Sequence, residues 1–167
     1  MSGDPSDELH ARVRRLEDES AIARLILSYG LAADAGLTAL AGQVWLEDGV
    51  YDWDAEGEPH HGSAAVDAML QGDGHQGLIA RGVAHFAGPP LIDVDGDKAT
   101  VLNYSLVMRR EDDRFFLWRV SAVRWDVERA ASGWRVQRRT NRLLDATGVG
   151  RQLFGETLRE LFEDAPR

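Results

Sequence analysis

Residues 21–36 carry the clearest hydrophobic pattern in the chain. Their apolar side chains recur at helical spacing and form one stripe that we expect to lie against a core: Ile22, Leu25, Ile26, Tyr29 and Ala33. Asp34 falls where this helix should end, two residues before Gly36. A carboxylate there faces the negative end of the helix dipole, which destabilises it unless a donor or cation lies nearby. The sequence therefore predicts a partner for Asp34.

The rest of the first half is predicted to be mostly helical. A helix over residues 7–19 either continues into residues 21–36 or breaks near Asp18 and Ser20, both of which can cap a new helix. Further predicted elements are a short helix at 37–46, a turn at 47–49, a strand at 50–53 and a helix at 63–70 with Ser63 as N-cap. Residues 72–77 have the glycine spacing of a dinucleotide-binding loop, but a helix precedes them and a strand follows, the reverse of what that motif requires. We interpret them as a mobile loop.

The second half is predicted to be β-rich. Strands are expected at 82–86, 91–94, 99–110, 115–128 and 133–144, with a closing helix at 150–162. The short links between the long strands predict antiparallel hairpins, and strands of this length are typical of a strongly curved sheet. The sequence thus predicts one α+β domain over 1–167, with helices on one face of a bent sheet.

Composition narrows the classes of function. The formal net charge of −9 argues against binding to nucleic acid or to an anionic membrane surface. Because the chain has no cysteine, disulfides, thiol catalysis and thiolate metal sites are excluded. The residues also show no signal peptide and no apolar run long enough to cross a membrane, so we expect a soluble, cytoplasmic protein.

The order of several short motifs resembles the SnoaL-like branch of the nuclear-transport-factor-2-like superfamily. The resemblance covers about residues 8–145, and its motifs are Tyr29-x-x-x-x-Asp34 before Gly36, Trp45 to Tyr51, Gly62 before a helix, Val83-Ala-His85-Phe86, Asp95 to Ala99 and Gly133-Trp134-Arg135-Val136. It implies a cone: a curved antiparallel sheet wrapped around N-terminal helices, with an internal apolar cavity. The C-terminal helix, about 150–163, lies beyond the matching region.

The same resemblance implies catalytic roles for three residues. In dehydratases and dehydrochlorinases of this superfamily, an aspartate at the position of Asp34 supports a histidine at the position of His85, and several dehydratases use a tyrosine at the position of Tyr29. Such a histidine can take a proton from carbon next to a carbonyl while the tyrosine donates a hydrogen bond. Tyr29 and Asp34 lie about 140° apart around an ideal helix, so both reach one site only if the helix ends at or before Asp34. Alternatively, His85 is a core histidine held by a backbone carbonyl or points outward, and Asp34 is only a turn residue.

Arginines and aromatic residues are the candidates for binding a substrate. Strand alternation places Arg138 and Arg142 on one face of the last strand and Arg139 on the other. The resemblance favours Arg142 as the residue that binds an anionic substrate group, although these arginines can also neutralise an acidic surface. Other candidates to line a pocket, or alternatively to form an aromatic core, are Trp45, Tyr51, Trp53, Phe86, Asn103 and Trp118.

No metal or organic cofactor is expected. His60, His61 and His75, with Asp54, Glu56 and Glu58, have the residue types of a metal site but not the spacing of a common one. The resemblance implies a cofactor-independent lyase or isomerase of the dehydratase kind, acting on a hydrophobic polycyclic or aromatic carbonyl compound. The alternative is a non-catalytic protein that binds a small ligand, or an accessory subunit of a ring-hydroxylating dioxygenase. Apolar outer positions of the sheet need cover, so we expect a homo-oligomer, and the resemblance implies a homodimer or homotrimer.

Overall fold

The computed structural model describes residues 4–54 and 58–163. The helices are α1 (Pro5–Asp34), α2 (Thr38–Gly42), α3 (Ser63–Gln71), α4 (Asp73–Arg81) and α5 (Val149–Phe162), and the strands are β1 (Trp45–Trp53), β2 (His60–His61), β3 (Val83–Ala87), β4 (Leu91–Asp95), β5 (Lys98–Glu111), β6 (Arg114–Ala130) and β7 (Gly133–Leu143). Helices first and a curved, unclosed seven-stranded sheet afterwards confirm the predicted α+β class. In the described ranges, no helix is both long and apolar enough to cross a membrane.

The sheet has the strand order β2-β1-β7-β6-β5-β3, and β4 pairs with a second part of β5. The predicted hairpins β5–β6 and β6–β7 are confirmed as antiparallel pairs. By contrast, β1 runs parallel to β7, because the chain crosses over from the first half to reach the far side of the last strand. The large apolar side chains of the core lie between the second half of α1 and the inner face of this sheet: Ile22, Ile26, Tyr29, Trp45, Val123, Trp125, Trp134 and Val136.

Two register shifts decide which side chains face the interior. Between β6 and β7, Val127 pairs with Val136 but Asp126 pairs with Arg138, so Gln137 is an extra residue. An extra residue in one strand reverses the alternation beyond it. The buried positions of β7 therefore change from even to odd numbers along the strand. Trp134 and Val136 are buried before the extra residue, and Arg139 and Asn141 are buried after it.

The second shift lies between β5 and β6. Val107 pairs with Arg119 and Met108 pairs with Leu117, which leaves Trp118 as the extra residue in β6. A bulge of this kind turns two successive side chains toward the same region, instead of to opposite faces. Trp118 and Arg119 accordingly approach the interior side by side.

Of the two alternatives for the N-terminal segment, the continuous helix is confirmed: residues 7–19 and 21–34 belong to the single 30-residue helix α1. It begins after Asp4, whose side chain accepts a hydrogen bond from the backbone N of Ser6 at 3.0 Å, and Pro5 occupies its first turn. Its first half is exposed. Its second half buries the predicted stripe, which confirms the apolar pattern from Ile22 to Ala33.

Asp18 anchors α1 to the sheet at the middle of the helix. Its carboxylate accepts a hydrogen bond from Arg129 Nη2 at 2.7 Å and another from Trp134 Nε1 at 3.0 Å. The hydrogen bond from Arg129 is the main reason that the pKa of Asp18 lies below its ordinary value. This contact fixes the helix across β6 and β7 and so sets the direction in which its C-terminal half enters the core.

Three local predictions are wrong. Residues 47–49 lie within β1, not in a turn. Gly62 with φ 87° precedes α3, and Ser63 makes no side-chain capping bond. Residues 73–77 begin the helix α4, in which Asp73 in the first turn and Arg81 in the last turn match the helix dipole and offset the low propensity of its glycines.

Gly30 allows α1 to approach β3 more closely than any other residue type would. A Cβ atom at this position would lie 2.7 Å from the carbonyl oxygen of His85, a distance that real Cβ atoms do not tolerate. Gly30 is one turn before Asp34, so the close approach brings the end of the helix to the backbone of His85.

We predict that Gly30→Ala lowers the free energy of unfolding by about 1–3 kcal/mol, because the methyl group forces α1 and β3 apart in a packed region. Urea unfolding measures this change. Gly74→Ala is the matched control: a Cβ there meets nothing within 4 Å, so the same substitution in α4 should be neutral or stabilising. Equal stability of Gly30→Ala and the wild type would contradict the close approach.

Candidate active site

Asp34 and His85 are in direct contact. The carboxylate of Asp34, at the last residue of α1, accepts hydrogen bonds from His85 Nδ1 at 2.5 Å and from the His85 backbone N at 2.7 Å. Both side chains are mostly buried, with 22% and 24% of their surface exposed. The structure thus provides Asp34 with the partner that its place at the negative end of the helix requires.

The contact with Asp34 orients the imidazole. A carboxylate can only accept, so the proton of the neutral ring lies on Nδ1 and the lone pair lies on Nε2. The second hydrogen bond, from the backbone N, holds the carboxylate in place and does not depend on the protonation of the ring. If Nε2 gains a proton, the adjacent negative charge stabilises the imidazolium.

His85 lies at the wall of a pocket of about 420 Å³, a volume typical of sites for small organic ligands. Aromatic and aliphatic side chains form much of its lining: Tyr29, Ala33, Tyr51, Trp53, Met69, Leu70, Leu78, Val107 and Trp118. The polar side chains of the lining are His75, His85, Ser105, Arg109, Arg119, Arg139 and Asn141. Among the described residues that line it, none is Asp or Glu. Asp34 itself contacts His85 from behind, on the Nδ1 side of the ring.

A wider concavity of about 910 Å³ lies elsewhere, along the outer side of α1 near Trp134 and Arg135. It is a shallow open groove, and no described residue that lines it is a histidine or a tyrosine. We place the candidate active site in the smaller pocket because the oriented imidazole is there.

Tyr29 lies at the centre of an aromatic cluster and also lines the pocket. Its ring makes edge contacts with Trp45, Tyr51 and Trp125 at centroid distances of 6.0, 6.3 and 6.0 Å. Burial, and then the neighbouring Tyr51, raise the pKa of Tyr29 far above its ordinary value, so the hydroxyl keeps its proton and can donate a hydrogen bond. Tyr29 and Asp34 are unfavourably spaced around an ideal helix, but α1 ends at Asp34, and Tyr29 and the Asp34-bound His85 line the same pocket.

Arg139 lines the same pocket and is buried, with only 6% of its surface exposed. Its Cζ atom lies 5.0, 4.7 and 4.5 Å from the ring centres of Tyr29, Tyr51 and Trp125, so three aromatic faces stabilise the cation. In residues 4–54 and 58–163, no carboxylate forms an ion pair with it, and its buried Nε has no hydrogen-bond partner. A buried cation without a counterion is costly unless a ligand supplies the negative charge.

His75, on α4, faces the pocket beside His85, with 5.7 Å between the ring centres. Its Nδ1 lies 3.2 Å from the carbonyl oxygen of Leu70, and its buried Nε2 has no partner among the described residues. Burial, and then repulsion between the two imidazoles if both were protonated, lower the pKa of His75 below its ordinary value. We therefore assign His75 as neutral, with Nδ1–H donating to Leu70.

Of the residues predicted to bind substrate, Tyr51, Trp53 and Trp118 line the pocket. Trp45 does not; it packs inside the aromatic cluster, behind Tyr29 and Tyr51. Phe86 follows His85 on β3 and therefore points to the opposite face of the sheet, where it is half exposed.

Asn103 and Arg142 also lie outside the pocket. Asn103 is a structural residue: its Nδ2 donates to the Gly88 carbonyl at 3.2 Å, and its Oδ1 accepts from Trp125 Nε1 at 3.0 Å. Arg142 forms an ion pair with Asp52 at 2.9 Å, because the bulge at residue 137 turns it away from the interior. Arg139 is the inward arginine of β7, so the preference for Arg142 is corrected.

Sequence reasoning missed several polar side chains of the pocket: His75 as a pocket residue, Ser105, Arg109, Arg119 and Asn141. His75 lay in residues that were predicted to be a loop. Asn141 lies beyond the bulge in β7, where alternation from Trp134 and Val136 assigns the wrong face. Ser105 and Arg109 keep the regular alternation of β5, but their polar side chains do not match the apolar pattern expected of an inner face.

The suggested metal ligands are not brought together. His60 and His61 are on β2, whereas His75 is on α4, and Glu56 lies outside the described residues. In the part of the chain that the structure describes, no group of three or more His, Asp or Glu side chains is arranged to hold a metal ion.

The fold and the pocket define a class: a curved sheet over helices with an oriented acid–imidazole pair in its concave side. Residues 14–140 match the SnoaL-like domain family, and the chain belongs to this family. This confirms the resemblance found in the sequence. Among proteins of curated function, none matches the chain.

Solved structures show the same fold. An NTF2-like protein with a cystatin-like fold from Novosphingobium aromaticivorans is 40% identical, with a TM-score of 0.86 over 92% of this chain and 98% of that one. A protein of the same organism, provisionally named an aromatic ring hydroxylase, is 25% identical, with a TM-score of 0.64 over 78% and 91%. Another, provisionally named a scytalone dehydratase, is 21% identical, with a TM-score of 0.66 over 78% and 87%, and shares the fold.

The lowered pKa of His75 predicts a specific pH dependence of stability. Below about pH 6.5, the ordinary value, the unfolded chain takes up the proton more readily than the folded one. The contribution of His75 is therefore complete above that pH and is lost as the pH falls through the lower pKa of the folded protein. We expect the unfolding free energy of His75→Gln to decrease less than that of the wild type as the pH is lowered below about 6.5, measured by urea unfolding at several pH values. A titration of the His75 ring followed by NMR at or above the ordinary pKa would contradict the assignment.

Proposed function

We propose that this protein is a cofactor-independent lyase or isomerase, in which His85 removes a proton from a carbon atom next to a carbonyl group of a hydrophobic cyclic compound. The observation that carries the proposal is the contact between Asp34 and His85 at the wall of a ligand-sized pocket. It presents Nε2 of His85 as a base toward that space and places a negative charge behind it.

The proposed reaction begins when the C–H bond breaks. Its proton goes to His85 Nε2, and its electron pair moves through the adjacent carbonyl group to oxygen as an enolate. Arg139 and the hydroxyl of Tyr29 line the same pocket and are the candidate donors to this oxygen, Arg139 as a cation and Tyr29 by a hydrogen bond. Collapse of the enolate can expel a β-hydroxyl group, which takes the proton and leaves as water, or the proton can return at another carbon and move the double bond.

The surroundings of the pair support this chemistry over a surface role for the histidine. Aromatic and aliphatic side chains keep much of the pocket wall apolar, which strengthens electrostatic interactions with a developing charge. Because His75 is neutral, the imidazole beside His85 adds no positive charge that would oppose protonation of the base. The provisional name of one structural neighbour, scytalone dehydratase, agrees with the dehydration branch.

The first test measures proton abstraction without requiring the natural leaving group. Deuterium incorporation next to the carbonyl of 2-tetralone in D₂O is followed by NMR with wild-type protein and with His85→Ala. We expect the variant to be slower by about 10²–10⁴-fold, the usual contribution of a positioned base. His10→Ala, which changes an exposed histidine on α1, is the control and should keep the wild-type rate.

Exchange at the wild-type rate in His85→Ala would refute His85 as the base. It would favour the second function considered from the sequence, an accessory subunit, to which the provisional name of the aromatic ring hydroxylase neighbour also points. Copurification of a large iron-containing chain would then be the expected observation.

A second test addresses the enolate. Arg139→Met removes the charge but keeps much of the side-chain length, and we expect it to lower the exchange rate by about 10²–10³-fold. The unfolding free energy should stay the same or rise, since an uncompensated buried charge is lost. Arg138→Met changes the adjacent arginine, which lies outside the pocket near Asp52, and should not affect the rate. A slow but strongly destabilised Arg139→Met protein would instead indicate a structural role.

A further inference from the structure

The pocket has an unusual charge for a protein of net charge −9. Three arginines contribute to its lining, namely Arg109, Arg119 and Arg139, whereas none of its described lining residues is a carboxylate. A concave site with a low-dielectric wall and charges of one sign concentrates its field on whatever enters. The polarity of this site is thus opposite to that of the chain as a whole.

The arginines differ in depth. Arg139 is at the buried end with 6% exposure, the side chain of Arg119 is 15% exposed, and the side chain of Arg109 is 39% exposed. Trp118, whose ring contacts both Arg109 and Arg119, is 43% exposed. The exposed fractions define an inner end at Arg139 and a mouth formed by Arg109, Trp118 and Arg119.

The mouth is built by the bulge in β6. Because Trp118 is the extra residue there, Trp118 and Arg119 both line the pocket although they are adjacent in the chain. The Cζ atom of Arg119 lies 5.3 Å from the ring centre of Trp53 and 5.9 Å from that of Trp118, and Arg109 Cζ lies 5.1 Å from Trp118. These aromatic contacts hold the two guanidinium groups beside the apolar wall.

Arg119 has a donor that the described residues leave unused. Its buried Nη2 makes no hydrogen bond. The nearest carboxylate, Asp54, is 4.0 Å away, too far for a hydrogen bond, and accepts instead from the backbone N of Leu143. Arg109 already forms an ion pair with Glu111. At the mouth, Arg109 is therefore closely paired, whereas Arg119 has only a long ion pair and an unused donor with which to bind an anion.

We propose that the ligand of this pocket is an organic acid bound as its anion: an aromatic or alicyclic ring system that occupies the apolar wall and carries an acidic group held by Arg119 at the mouth. The planar guanidinium suits a carboxylate, to which it can donate two parallel hydrogen bonds. The organic acid would be the class of substrate for the proposed proton abstraction, so its role as a substrate rests on that proposed function. The binding itself does not require turnover.

The experiment compares 2-naphthoate with 2-naphthamide, which has nearly the same shape but no charge. Binding to wild-type protein is measured by calorimetry and by the fluorescence of the tryptophans at the pocket. We expect the carboxylate to bind at least about tenfold more tightly than the amide, as a charge-assisted hydrogen bond in a partly buried site allows. The preference should decrease as salt is added.

Arg119→Gln should remove most of the preference, whereas Arg12→Gln, which makes the same change in net charge on the exposed part of α1, should keep it. The preference should also persist in His85→Ala, so loss of proton abstraction and loss of acid recognition can be told apart. Equal binding of the two probes to the wild type, no saturable binding of naphthoate, or an equal loss in Arg12→Gln would each overturn the proposal. The comparison of the two probes on the wild type holds even if Arg119→Gln does not fold.

Discussion

The candidate site depends on the meeting of one helix end with one strand. Asp34 ends α1 and accepts two hydrogen bonds from His85, one from the ring and one from the backbone. Gly30 makes the meeting possible, because a side chain there would collide with the His85 carbonyl. The interaction satisfies a carboxylate at the unfavourable end of a helix dipole and orients an imidazole at the same time. The same carboxylate therefore both stabilises the contact between α1 and β3 and orients the imidazole.

The second constraint is the buried guanidinium of Arg139. Most buried arginines form ion pairs with carboxylates, but among the described residues this one lies against the faces of Tyr29, Tyr51 and Trp125, and its Nε has no hydrogen-bond partner. Aromatic faces stabilise a cation without neutralising it, so its field remains available inside the pocket. The aromatic cluster, which in another protein would be only a core, thus holds a positive charge where a ligand oxygen can reach it.

Membership in the SnoaL-like domain family establishes the architecture but leaves the reaction open, since one fold serves many functions. What distinguishes this chain is the set of side chains around the pocket. An oriented histidine, a neutral second histidine and three arginines surround an apolar wall. This combination is the basis on which we propose proton transfer on a compound that is flat, cyclic and acidic.

The sequence by itself determined the features that arise from local periodicity. The apolar stripe from Ile22 to Ala33 predicted the buried half of α1, and the unmet requirement of Asp34 predicted a partner, which the order of motifs placed at His85. The long strands were predicted because alternation and short links are local properties as well. Even so, the turn at residues 47–49 and the loop at 72–77 were wrong, because weak local preferences there are overruled by strand pairing and by helix packing.

Only the tertiary structure decided which side chains of the long strands face the pocket. One extra residue, Gln137, reverses the alternation of β7, so that Arg139 faces inward and Arg142 outward. A second, Trp118, brings itself and Arg119 to the mouth. A bulge is defined by the register between two strands, and register is a property of the pair that neither sequence segment contains alone. For that reason the pairing of Asp34 with His85 could be predicted from the chain, whereas the charge of the pocket beside them could not.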